Sequence, residues 1–236
     1  MLIRVLALIT AITAFAAPSQ AIHVVMTGGP ALKSWEGLRI KADRHDNWWA
    51  NFVAASRIRI GHIKAQNPNA KVNWIIFKPG YITRAKEDGK PYIQWINDLA
   101  KKYGANITWV NTADQAINSL NKSPRGKNDL IESFYYFGHS NCYALMLDYG
   151  NEIMAVSMEW IHETDLPKIK RSAFRPDADC WSYGCYTGAS MSRWWYKFIG
   201  IPLWGNMKST QYAPVSNGLL PSGGGKWVNG RGPVLK

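Results

Sequence analysis

The sequence predicts an α/β fold, a doubly wound three-layer sandwich with a mostly parallel central sheet. Short apolar runs alternate with stretches of helical periodicity from Ile22 to about Asn206. The runs lack strict polar alternation, as in Phe134-Tyr135-Tyr136-Phe137, so both faces of the strands should be covered by helices. The 236 residues are 47% hydrophobic and only 19% charged, which is enough apolar material for one core and too much for a disordered chain.

Residues 1–21 read as a secretory signal peptide. Arg4 supplies the positive leading region, residues 5–17 an apolar stretch, and Ser19-Gln20-Ala21 the small-x-small cleavage pattern. This predicts a secreted or periplasmic protein whose mature chain, 22–236, is a single domain. A strand over 22–26 comes first, closed by Gly28-Gly29-Pro30. Trp49, Phe52, Val53, Ser56, Ile60 and Ile63 recur at helical spacing and predict a helix over 46–66, stopped by Asn67-Pro68. A buried strand over 72–77 ends at Pro79-Gly80. Pro91 opens a helix with Tyr92, Trp95, Ile96, Leu99 and Tyr103 on one face and Gly104 as its stop. A strand over 107–110 precedes a helix reaching about Leu120, for which Thr112 and Gln115 supply a capping box.

The polar loop 121–128 returns the chain to a strand over 130–137. A hairpin or loop over 143–158, a short helix over about 159–169 and a strand over 178–183 follow. The next helix places Met191, Trp194, Trp195 and Phe198 on one stripe, and Gly200 closes it. Residues 203–206 form a last strand, and the Gly-, Pro- and Ser-rich tail from about 214 to 236 reads as loop.

In an open parallel sheet, chemistry collects at the carboxyl ends of the strands. One strand runs into Gly138-His139-Ser140-Asn141, another into Gly184-Cys185-Tyr186-Thr187-Gly188 and then a helix. Parallel members of one sheet would deliver His139 and Cys185 to the same rim. A helix starting just after Cys185 would favour a thiolate through its N–H groups and dipole, and a nearby imidazolium would favour it further. Cys185 is thus a candidate nucleophile, and His139, expected to be exposed, the proton carrier for the departing group.

These residues resemble the clan CD cysteine peptidases, which include legumains, caspases, metacaspases, gingipains and separases. That family has an apolar strand ending in His-Gly and, about 50 residues on in caspases, an apolar strand ending in a small residue and Cys. Here Cys185 follows His139 by 46 residues, and Cys185-Tyr186-Thr187-Gly188 is close to the Cys-x-Ser-Gly often found in the family. The resemblance implies a caspase–hemoglobinase-like fold and cleavage of a peptide or protein substrate without metal or organic cofactor. It also implies an oxyanion site made by the backbone N–H of Cys185 and that of the residue after the histidine. The family's glycine at that second position is Ser140 here, with Gly138 and Gly184 preceding His139 and Cys185 among the backbone positions of the site; a backbone donor survives the change.

Other readings of the same residues stay open. Cys185 can be a structural cysteine, and Cys180, about 16 Å deeper along an extended strand, belongs in the core. A Cys142–Cys180 disulfide would leave Cys185 free, whereas a Cys142–Cys185 bridge would silence it. His23, His45, His62 and His162 show no metal-ligand spacing. Gly138-His139-Ser140-Asn141-Cys142 approaches a G-x-S-x-G elbow with Ser140 as nucleophile, but the last glycine is missing and only His162 lies downstream.

The net charge of +12, reduced by one when Arg4 is removed, suggests attraction to polyanionic surfaces. No Lys/Arg run is long enough to mark specific nucleic-acid binding, and no apolar run is long enough for an integral membrane protein. The pairs Trp48-Trp49 and Trp194-Trp195 can each bury one ring and leave the other partly exposed to stack on sugars. An inactive caspase-like domain that binds polyanionic or glycan surfaces is therefore the alternative function.

Overall fold

The computed structural model describes residues 21–38, 48–123, 129–149 and 159–231. The predicted signal peptide, apart from Ala21, lies outside the described residues. So do the start of the helix predicted over 46–66, most of the loop 121–128 and the second half of the segment 143–158.

The central sheet has seven strands: β1 (Ile22–Thr27), β2 (Lys71–Phe77), β3 (Asn106–Val110), β4 (Ile131–Phe137), β8 (Phe174–Ser182), β9 (Leu203–Asn206) and β12 (Trp227–Val228). Their spatial order is β12-β9-β8-β4-β1-β2-β3, and every neighbouring pair is parallel except β12 with β9. The chain builds outward from β1 to β3, then returns to lay β4 on the other side of β1. The resulting reversal between β1 and β4 is where open α/β sheets leave a crevice for ligands.

Helices close both faces. Val24 and Met26 of β1, Phe134 and Tyr136 of β4 and Cys180 of β8 share one apolar cluster. Ile117 of α5 (Ala113–Asn121) and Trp195 of α6 (Met191–Ile199) complete it. Val25, Tyr135 and Phe137 point the other way, towards Phe52 and Ile60 of α2 (Asn51–Gln66) and Ile96 of α4 (Tyr92–Lys102). Burial on both faces is the physical reason the strands read as continuous apolar runs. Together these make a three-layer α/β sandwich with a mostly parallel sheet.

Three local expectations need correction. Pro79-Gly80 does not end an element but sits in the first turn of α3 (Lys78–Asp88), where a proline's missing N–H costs nothing. Gly80 is there because a Cβ would come within 3.1 Å of the Gly29 backbone. The helix predicted over about 159–169 is instead β7 (Trp160–His162) followed by a 3-10 turn, Glu163–Lys168, that contains Pro167. β7 pairs with β6 (Ala144–Met146), which pairs with β5 (His139–Ser140), forming a small antiparallel sheet at the rim. Finally, the tail is more than loop. It carries the 3-10 turn Ala213–Asn217 and β11 (Ser222–Gly223), which pairs with β10 (Thr210–Gln211), and it supplies β12 to the main sheet. The side chain of Asn206 fixes this return by bonding the backbone of Gly225 at both ends, as donor at 2.9 Å and as acceptor at 3.0 Å.

Candidate active site

β4 and β8 are parallel neighbours in a register that sets Tyr136 beside Ser182. The chain therefore leaves both strands at the same edge, and the Tyr183 N–H still donates to Tyr136 O at 2.9 Å. Gly138-His139 and Gly184-Cys185 follow immediately, side by side. The Ser140 hydroxyl ties them together by donating to the Cys185 carbonyl at 2.6 Å.

Two glycines permit this close approach. A Cβ at Gly184 would lie 2.7 Å from the Ser140 Cβ, and one at Gly138 would lie 2.7 Å from Cζ of Tyr136. The Tyr136 hydroxyl sits 2.7 Å from both the His139 and the Met146 carbonyl oxygens, so it braces the turn as a shared donor. Burial pushes its pKa well above the ordinary value, which keeps that proton in place.

His139 is only 8% exposed, contrary to the expectation of an open position. Tyr149 stacks on its ring at 4.0 Å between centroids, and Phe52, from the first turn of α2, meets it edge-on at 4.9 Å. These aromatics wall the imidazole without cutting it off, because His139 and Cys185 both line one cavity of about 880 Å³.

Cys185 is half-buried and forms no disulfide. The helix expected just after it begins only at Met191; residues 185–190 are turns, too far from the helix end for its dipole to act on the sulfur. The Cys185 Sγ instead accepts a hydrogen bond from the Thr210 backbone N–H at 3.3 Å, contributed by β10. The Thr210 and Thr187 hydroxyls donate to the Gly184 carbonyl at 3.2 and 3.3 Å, fixing the turn that presents the sulfur. Tyr186, the next residue, has φ 61°, a left-handed conformation that costs a non-glycine residue about 1–2 kcal/mol. The bond from its N–H to Lys208 O, at 3.0 Å, helps to hold it there.

The Ser140 N–H is also placed by geometry. Asn141 N–H donates to Ala144 O at 3.1 Å across the β5–β6 ladder, so by alternation the Ser140–Leu145 pair is a non-hydrogen-bonded one. The Ser140 N–H then points away from β6.

The other candidates resolve differently. Cys180 is fully buried in β8, and burial pushes its thiol far above the reactive range. Cys142 forms no disulfide either, so neither Cys142–Cys180 nor Cys142–Cys185 is bridged. The strand-to-helix turn of a serine elbow is not what Ser140 occupies: it lies in a strand followed by a hairpin, and its hydroxyl donates to the Cys185 carbonyl. His162 caps the 3-10 turn that follows it, its Nδ1 accepting from Thr164 N–H at 3.2 Å. Trp49 stacks on Tyr92 at 3.8 Å while Trp48 is 44% exposed, and Trp195 is buried while Trp194 is only partly so. Trp195 is thus fully buried, whereas Trp49 is only partly covered and neither ring of the Trp48-Trp49 pair is fully buried. No group of three or more metal-ligating side chains occurs among the described residues, and no described helix is long and apolar enough to cross a membrane.

Phe52, Tyr149 and Thr210 were not singled out as site residues from sequence. Phe52 reads as a core position of its helix, and Thr210 sits in the polar run Lys208-Ser209-Thr210-Gln211, which carries no motif. Comparison of the chain with protein-family models, curated proteins and solved structures gives no match.

Proposed function

We propose that this chain is an exported cysteine peptidase of the clan CD type, with a caspase–hemoglobinase-like fold and a Cys185–His139 dyad. What supports this most is one juxtaposition: a thiol in no disulfide and an imidazole lining one cavity at the carboxyl ends of two adjacent parallel strands. The Cys185 thiolate attacks the scissile carbonyl carbon, and the oxyanion that forms is met by the backbone N–H groups of Cys185 and Ser140. As the C–N bond breaks, His139 gives its proton to the leaving amine, and a thioester remains on Cys185. His139 then takes a proton from water, the resulting hydroxide attacks the thioester, and the carboxylic acid and the thiolate are released. The Thr210 N–H holds the sulfur at its attack position throughout and favours its anionic form.

The test is cleavage of a peptide library by the mature protein and by Cys185→Ala. The reading expects cleavage by the native protein and none by the folded variant. Equal cleavage by both would overturn the Cys185–His139 dyad, and cleavage by neither, alongside binding to polyanions or glycans, would replace the peptidase with the inactive binding domain.

A further inference from the structure

Resting on the peptidase reading, we propose that the cavity selects substrates with an uncharged side chain beside the scissile bond, and that it rejects basic ones most strongly. Among the described residues lining it there is no Asp, Glu, Lys or Arg, although the chain carries 28 basic and 16 acidic residues. Beside the dyad residues the lining is aromatic and neutral: Phe52 and Tyr149 against His139 and Tyr212 beyond Phe52, with Asn51, Gln211 and Ser216 as polar groups. Phe52 stands at the centre, edge-on to both His139 and Tyr212, at 4.9 Å from each.

A charged side chain entering this space gives up water and finds no Asp, Glu, Lys or Arg among the described lining residues to pair with, so desolvation disfavours both signs. The two signs are not equal. The cavity includes Asn51, the first residue of α2, so the positive end of that helix lies at its wall, and His139 is cationic when poised to donate. Both repel an ammonium or guanidinium, while a carbonyl oxygen or an aromatic edge is accommodated. Asparagine, glutamine, phenylalanine and similar residues fit, aspartate less well, lysine and arginine least.

Peptidyl thiol-directed electrophiles that differ only in the residue next to the reactive group, Phe, Asn, Asp or Lys, separate the cases, with iodoacetamide as a probe of thiol access. The expected result is modification of Cys185 at least tenfold faster by the Phe or Asn probe than by the Lys probe, with Asp between. Gln211→Glu, which adds a carboxylate to the wall, should raise the Lys rate relative to Phe by about tenfold. Fastest reaction with the Lys or Asp probe would overturn the selectivity and leave the peptidase standing. Modification by iodoacetamide but by none of the four peptides would overturn the peptidase itself, and the selectivity with it.

Discussion

Thr210 and Ser140 do different work from that their positions in the sequence suggest. Ser140 stands where an exposed nucleophile would stand in a serine hydrolase, yet its hydroxyl is committed to the Cys185 carbonyl at 2.6 Å. Ser140→Ala should therefore lower stability by about 1 kcal/mol, the net worth of one hydrogen bond, and keep cleavage within tenfold of native. Chemical denaturation and peptide kinetics read the two effects separately. His139→Ala should instead slow cleavage by roughly 10²–10⁴-fold, the usual contribution of a general acid–base. Gly184→Ala forces a Cβ to 2.7 Å from that of Ser140 and pushes the two strand ends apart. Its expected signature is a loss of turnover together with slower modification of Cys185. His139 and Cys185 were legible because each follows a glycine at the end of an apolar run. Thr210 was not, because its contribution is a backbone N–H and any residue but proline would supply one.

At the level of elements, the parallel strands and their covering helices followed from apolar runs and helical periodicity. Gly200, the stop that the sequence predicts for α6, caps it with φ 69°. α3 escaped notice because Pro79-Gly80 resembles a turn; only the close packing of Gly80 against Gly29 explains a glycine in a first helical turn. The capping box of α5 was half legible. Thr112 accepts from Gln115 N–H at 3.2 Å, but the Gln115 side chain returns to Asn111 N–H instead of Thr112. β12 was hidden in a glycine-rich tail because its strength lies in partners distant in sequence. Trp227 packs on Trp181 at 5.5 Å and on Tyr183 at 5.4 Å. Trp227→Ala should cost about 2 kcal/mol, less than the 3–5 kcal/mol of a fully buried tryptophan because the ring is half-exposed. A midpoint shift in urea with an unchanged slope would confirm a local packing loss.

For the molecule as a whole, the buried carboxylate of Asp88 and its partners make stability depend on acid pH. Burial alone would raise the pKa of Asp88, but hydrogen bonds from Lys33, Tyr92 and Arg84 hold it down to about 2. The cluster joins α1 (Lys33–Leu38), α3 and α4. A carboxylate with a lowered folded-state pKa stabilises fully above its unfolded value, near 3.9, and that contribution fades as the pH falls towards 2. Thermal melts should therefore lose stability between about pH 4 and pH 2, and Asp88→Asn should flatten that slope while lowering the melting temperature at pH 7. The architecture is what brings 139 and 185 together, since only adjacency of β4 and β8 makes a separation of 46 residues into one rim. The measurement that bears most directly on this is acid-quenched mass spectrometry of the protein during turnover of an activated, uncharged peptide ester. A thioester adduct mapped to Cys185, and much reduced in His139→Ala, is the predicted result. An adduct on Cys142 or Ser140, or equal adduct formation without the imidazole, would contradict it.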